Sequence, residues 1–445
     1  MRGSAAIALL AALAGGTLAH GARAGASATP VGQPATVGPL PQYEESLPLD
    51  HPAVRDDPAA TDDPLARLGA RISAGAFRFD VDARLGVLPS LLAALDIPAA
   101  SQTLVFSKTS FQFPRISPRL PRAIYFNDDV AVGVVPGSSV IELATMHPRA
   151  GARFYVVDGP SRADAPIVRR DVCLRCHHGV ATIGVPGLFV SSVFPSASGT
   201  PETDGAIVTD HRTLFADRWG GWFVSGLPSR LAHRGNALAT NPARPTALTP
   251  LAPGRRLGRV DGSRYLSTTS DPVALMLLEH QTQGLDLLLR LGWEARIAAH
   301  DHDARPATAA ALTRRIDDVA RYLLCLDEAP WPAPIASSPF AVAFAARPPQ
   351  DARGRGLRTF DLRSRLLRYR LSPLVYSATF EALPADVRTR LLTRLFDALT
   401  GRAPLDGRVR LDRDERAAIL EIARDTMRDL PAAWRDFRAG ALAVR

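Results

Sequence analysis

Five consecutive residues, Cys173-Leu174-Arg175-Cys176-His177, carry the sharpest chemical signal in this 445-residue chain. A C-x-x-C-H run is the spacing that attaches a c-type haem. Two thiols form thioether bonds with the porphyrin vinyl groups, and the adjoining imidazole takes an axial position on the iron. With 3 Cys and 10 His in the chain, random placement would give such a run in roughly one chain of two thousand. Two other chemistries use the same residue types. The thiol pair is also the pattern of a redox disulfide, and with His177 or His178 it supplies part of a zinc site. A zinc site ordinarily needs a second ligand pair, and a thiol-redox motif needs a βαβ setting that the pattern here does not show. The third cysteine, Cys325, sits in an apolar helical stretch and reads as a buried, inert thiol. The haem reading therefore leads: one covalent haem c on Cys173 and Cys176, with His177 as the proximal iron ligand.

The sixth position of that iron decides the chemistry. A second protein ligand closes the site for electron transfer, and an open position permits peroxidase, oxygenase or sensor reactions. Four candidates exist. His280 lies in Leu278-Glu279-His280-Gln281, where Val273, Met276, Leu277, His280, Gly284, Leu287 and Leu288 share a helical face. Gly284, one turn on, would let a flat group approach. His280 is taken as the distal ligand, against the alternative of a satisfied core histidine. Met276 on the same face reads first as core packing. His211, 34 residues after His177 in Thr209-Asp210-His211-Arg212, reads equally as a loop histidine paired with Asp210. Met146-His147 falls at a strand end before the motif. His178 is expected to point away from the iron. Arg218, in Arg218-Trp219-Gly220-Gly221-Trp222, is the candidate partner of a haem propionate, because guanidinium binds carboxylate in a fork. Trp219 and Trp222 are candidates for the haem edge or for a core.

These residues must be held by the elements around them. Thr103 to Phe106, Ala123 to Phe126, Val130 to Val135, Val140 to Thr145 and Arg153 to Val157 are short, β-branched or aromatic runs. Asn127-Asp128 and Pro136-Gly137 punctuate them, which predicts antiparallel strands. The motif follows directly. From about Leu266 the pattern becomes helical. Asp271-Pro272 offers an N-cap carboxylate and a first-turn proline for a helix from Pro272 to Leu291. Further helices are expected over Leu88 to Leu95, Ala307 to Leu326, Ala385 to Thr400 and Asp414 to Arg428. The fold class is α+β: a strand-rich, haem-binding region over 63–265 and a helical region over 266–445, packing on or beside it.

Met1-Arg2, the small apolar run Ser4 to Ala19, and the small-x-small sites Ala22-Arg23-Ala24 and Ala26-Ser27-Ala28 read as a secretory signal over 1–24. Residues 25–62, rich in Pro, Ala, Gly and Asp, read as a disordered leader. No later segment has the unbroken apolar length of a membrane span. The expectation is an exported, periplasmic, soluble protein, and export agrees with haem attachment on that side of the membrane. Hydrophobic residues make up 46% of the chain, enough for a sizeable core. The net charge of +9 is dispersed and almost wholly arginine, since Lys108 is the only lysine. No basic run is interleaved with aromatics, which excludes nucleic acid and suggests an acidic redox partner protein.

The run from Phe126-Asn127-Asp128-Asp129, through the C-x-x-C-H and Arg218-Trp219-Gly220-Gly221-Trp222, to Leu278-Glu279-His280-Gln281 resembles exported bacterial cytochrome c domain-containing proteins. The likeness covers most of the mature chain. It implies haem binding and electron transfer, with roles carried over only for Cys173, Cys176 and His177. The chain departs from small cytochromes c, because its motif lies deep in the sequence and no Met occurs between Cys173 and Met276. Three functions follow: a periplasmic monohaem electron carrier, a haem enzyme of peroxidase or oxygenase type with an open distal site, or a haem sensor or docking subunit of a redox complex. The bacterial dihaem peroxidases carry two such motifs, and this chain carries one.

Overall fold

The computed structural model describes residues 45–202, 205–241, 243–244, 246–251 and 261–438. The signal segment 1–24 and the first part of the expected leader, 25–44, lie outside the described residues. The five expected strands form: β1 (Thr103–Val105), β2 (Arg122–Phe126), β3 (Val130–Val134), β4 (Val140–His147) and β5 (Gly151–Asp158); a sixth that the pattern did not predict, β6 (Ile167–Arg169), pairs with β5, and all are antiparallel neighbours. A later strand, β7 (Trp222–Phe223), adds to β1 and completes a seven-stranded sheet of order β6-β5-β4-β3-β2-β1-β7. Turn chemistry sets the register. Asn127 Oδ1 accepts from the amides of Asp129 and Val130 between β2 and β3. Gly151, at φ +84°, turns β4 into β5 in a conformation that an L side chain resists.

Side-chain alternation gives the sheet two different faces. Ala123, Tyr125, Val132, Ile141, Leu143, Tyr155 and Val157 share a core with α1 (Pro64–Ser73) and α2 (Leu88–Ala94), which contribute Leu65, Leu68, Ile72, Leu88 and Leu91. The other face, with Ala144, Met146, Ala152 and Phe154, packs into a larger core with the C-terminal helices. At its centre is α4, 29 residues from Pro272 to His300, capped by Asp271, whose carboxylate accepts from the amides of Val273 and Ala274. It outruns its expected end at Leu291. It is also buried on every side from Pro272 to Trp293, rather than along one stripe. A helix enclosed all round has no solvent face for polar residues to mark. The space beside Gly284 is filled by Leu374 and Tyr322, so that glycine admits a helix contact and not a flat cofactor.

Helices α5 (Pro306–Leu323), α6 (Pro339–Ala345), α7 (Ala378–Glu381), α8 (Ala385–Thr400), α9 (Arg413–Thr426) and α10 (Ala432–Arg435) follow among the described residues of the helical half. One core joins Ala144 and Phe154 of the sheet to Leu288 of α4 and Leu391 of α8, so the two halves share a single compact unit. The fold class is α+β. Among the described residues, no helix is long and apolar enough to cross a membrane.

Residues 45–62 correct the expectation of a disordered leader. Val54 is buried in the main core, and Leu47 donates its amide to the Gly184 carbonyl at 2.9 Å. Arg153 on β5 is only 3% exposed, and its guanidinium is met by Asp56, Asp62 and Asp63. A buried cation without counter-charge is strongly destabilising, and this segment supplies the anions. Composition alone reads such acids as solvated.

Leu288 is fully buried where the sheet and helices meet. Leu288→Ala should lower the unfolding free energy by about 2–5 kcal/mol, seen as a lower guanidinium midpoint at an unchanged slope.

Candidate haem-attachment site

The C-x-x-C-H run lies on a short helical turn. A 3-10 turn, Asp171–Cys173, leads into α3 (Leu174–His177). Helical spacing puts residues at i, i+3 and i+4 on one side, so Cys173, Cys176 and His177 converge. Both ends of the turn are tied down. The Arg170 amide donates to the Phe154 carbonyl at 2.8 Å, and the Gly187 amide donates to the His177 carbonyl at 2.9 Å. Cys173 is half-buried, Cys176 is exposed, and both are free thiols.

His177 is the best-oriented group of the run. Its Nδ1 is 2.9 Å from the Gly187 carbonyl, which makes Nδ1 the protonated nitrogen; Nε2 has no hydrogen bond among the described residues. Its ring rests against Phe154 and Phe189, with centroids 4.7 and 5.2 Å away. A backbone carbonyl on the far nitrogen is the usual way in which a metal-ligating imidazole is fixed in tautomer and angle. Burial lowers the His177 pKa, with the Gly187 carbonyl opposing, so the ring is neutral at pH 7, as a ligand must be.

The acceptor is itself held in place. The Ala152 amide, just past the Gly151 turn, donates to the Pro186 carbonyl at 2.8 Å. The Leu188 amide donates to Asp286 Oδ1 of α4 at 3.3 Å. A side chain at Gly187 would collide with the Asp286 carboxyl, so only glycine fits there. Burial pushes the Asp286 pKa well above the usual carboxylate range.

A charged pair that acts on both Cys173 and His177 is Arg122 and Glu142, 2.7 Å apart on β2 and β4. Burial raises the Cys173 thiol pKa to about 11, with Glu142 adding to the rise and Arg122 opposing it. Three of the exposed large apolar residues, Val168, Val172 and Val180, flank the motif in sequence. Two free thiols, an imidazole with Nε2 available, a nearby arginine and exposed valines fit a covalently bound haem. They fit zinc less well. Neither of the two close groups of His, Cys and carboxylate donors among the described residues includes Cys173 or Cys176, and His178 is turned to the Leu47 carbonyl.

The other expected site residues lie elsewhere. Both ring nitrogens of His280 are engaged: Nδ1 with His211 Nδ1 at 2.9 Å and Nε2 with Ser372 Oγ at 2.7 Å. Its ring stacks on Tyr322 inside the helical core, so the distal role expected for it is not prepared here. His211 is buried in that same pair. Met276 is 1% exposed in the core. Met146 is buried against the sheet, and His147 Nε2 meets Asp62 while its Nδ1 accepts the Ala150 amide. Arg218 is committed as well. It is 2% exposed, it donates to the carbonyls of Thr213 and His211, and it faces Glu279 at 3.4 Å, so a propionate would have to displace a buried partner. Trp219 and Trp222 are core residues.

Four residues that bear on the motif were not singled out in the sequence: Arg122, Glu142, Gly187 and Asp286. Strand register alone joins the first two. The last two did leave a signal, as a Pro-Gly turn ten residues past the motif and a carboxylate inside an apolar helix. No family model, no curated protein and no solved structure matches this chain.

Glu279 gives a pH test of the buried network. Burial raises its pKa to about 7, against the opposing pull of Arg218 and the Thr209 hydroxyl. A carboxyl that holds its proton more tightly when folded favours the folded state at low pH, and that advantage is lost as pH rises from about 5 through 7. The stability of the parent relative to Glu279→Gln should fall between pH 5 and pH 8 by on the order of 2 kcal/mol, read from denaturant unfolding at both pH values. A pH-independent difference would refute the assignment.

Proposed function

We propose that this chain carries one covalent haem c, bonded through Cys173 and Cys176 with His177 Nε2 on the iron, and that it transfers electrons as an exported monohaem cytochrome. The observation that carries the reading is the hydrogen bond from His177 Nδ1 to the Gly187 carbonyl, placed within a C-x-x-C-H run whose two thiols are free. When bound, haem supplies a one-electron iron couple.

The chain's own residues would set the terms of that couple. Gly187 fixes the imidazole and strengthens its basicity, and Asp286 holds the Gly187 segment. Arg122 replaces Arg218 as the candidate for pairing a propionate, because it is partly exposed and close enough to lower the Cys173 pKa. Exposed Cys176 opens the attachment site to solvent, on a chain whose net charge of +9 favours an acidic partner protein. An exported, periplasmic location is part of the same proposal and rests on the signal-like residues 1–24.

A specific observation favours a second reading, an iron with an open sixth position. Every histidine weighed as distal ligand already has a hydrogen-bond partner on a ring nitrogen, and both methionines are packed in cores. Such an iron would react with small ligands, as in haem enzymes or sensors.

The parent should show haem that survives denaturing electrophoresis, and Cys176→Ala should lose most of it. A parent purified from cells competent in haem attachment yet free of covalent haem would sink the proposal. Spectra of the oxidised and reduced protein separate the two readings. The carrier stays low-spin and unchanged by cyanide or carbon monoxide, whereas a spectrum that shifts with either ligand selects the open site. Gly187→Ala should raise the reduction potential or lower the haem content, because the added methyl meets Asp286 and moves the acceptor that strengthens His177 as a donor, with circular dichroism checking that the fold is kept.

A further inference from the structure

A second cluster of ligand-type side chains lies apart from the motif. His211 comes from the loop after Val208, His280 from α4, and Cys325 from the end of α5. All three are buried, and one potential ligand atom from each lies within 4.8 Å of the others. The imidazoles meet Nδ1 to Nδ1 at 2.9 Å, a contact internal to the cluster that an ion bound between the two rings would replace, whereas an iron outside the cluster would have to break it with nothing in exchange. His280 Nε2 pairs with Ser372 Oγ at 2.7 Å, and the Tyr322 hydroxyl donates to the His280 carbonyl at 2.7 Å. This is the outer support that orients a ligating imidazole. His211 is anchored through its carbonyl, which accepts from Arg218 and from the Ala329 amide. Its Nε2 is buried with no hydrogen-bond partner among the described residues. Buried ring nitrogens are nearly always paired, so an orphan in a well-packed site calls for a function.

Cys325 adds an independent observation. The Leu326 amide donates to the Arg321 carbonyl and the Cys325 amide to the Tyr322 carbonyl, which closes α5 in a Schellman turn. The residue at its centre must be left-handed, and Cys325 has φ +48°. Glycine takes that conformation freely. Asp96 and His302 take it at exposed helix ends; Cys325 takes it inside the core, as Ile183, Trp219 and Leu362 do, and of these four buried residues it is the one whose side chain can ligate a metal. A strained backbone that places a thiol beside two imidazoles points to a use for the thiol.

The surrounding charges select the ion. Asp210 pairs with Arg212, Glu279 with Arg218, and Glu328 with Arg370. These pairs cancel. A monovalent cation on one thiolate and two neutral imidazoles leaves the core neutral, whereas a divalent ion leaves a buried positive charge. Thiolate and imidazole are the donors that suit copper, and a two-histidine, one-cysteine set is the core of copper electron-transfer sites. We infer that His211, His280 and Cys325 form a mononuclear copper site, distinct from the C-x-x-C-H run and independent of the haem reading. His280 also lines a cavity of about 220 Å³ with Asp128, Asp129, Gln281 and Arg358, which gives an ion a way in.

The test uses the full chain, loaded anaerobically with Cu(I), treated with a Cu(I) chelator and desalted. Copper and zinc are then counted per protein, with iron recorded separately as haem. The parent should retain about one copper, and Cys325→Gly and His280→Gln should each retain at least tenfold less. Cys325→Gly suits the left-handed turn, so its unfolding curve and circular dichroism should match the parent and separate loss of a ligand from loss of fold. Oxidation of the loaded parent by ferricyanide should give a Cu(II) paramagnetic signal whose hyperfine splitting is narrowed by thiolate, absent from Cys325→Gly. Retention below a tenth of an equivalent, zinc displacing copper in competition, or full copper retention by Cys325→Gly would overturn the assignment.

Discussion

Burial of α4 along its length is the constraint on which the rest of the structure turns. Its polar residues are shielded from water and need hydrogen-bond partners; Thr282 finds its own within the helix, and others reach to neighbouring elements. Glu279 takes Arg218 and Thr209, His280 takes His211 and Ser372, Gln281 takes the carbonyls of Asn127 and Asp128, and Asp286 takes the Leu188 amide. Arg290 reaches the carbonyls of Glu45 and Ile183. These pairs draw the loops of the N-terminal half onto one helix and fix their paths.

The two chemical clusters inherit their geometry from that helix, two turns apart. At Asp286 the helix braces the backbone that accepts from His177. At His280 it presents an imidazole to His211 and Cys325. The first cluster is half open to solvent and the second is buried behind the cavity that His280 lines, which suits a surface cofactor in one and a small ion in the other. The sheet contributes the opposite wall of the first cluster through Phe154, Glu142 and Arg122.

The strands from Thr103 to Val157, the capped start of α4 at Asp271 and the helix over Ala385–Thr400 were legible, because alternation, capping residues and turn residues are local signals. The motif was legible for the same reason. What escaped depended on partners far apart in the chain. His280 and Arg218 carry the right chemistry for a haem, yet their partners, Ser372 and Glu279, lie 92 and 61 residues away. Residues 45–62 look solvated until Arg153 is known to be buried. Cys325 looks inert until its backbone angle is seen.

That early segment has a kinetic consequence. Its carbonyl at Glu45 is claimed by Arg290, and His51 meets Asp301, contacts that span 245 and 250 residues. Closing loops of that length is the slow part of folding. Residues 45–51 thus wait for more than half of the chain to leave the ribosome before they find their places. Until then the carbonyls of Glu45 and Ile183 lack the guanidinium that joins them, and the segment that shapes the surroundings of His178 stays unformed. The native state is reached as a late event of the whole chain, not built up domain by domain.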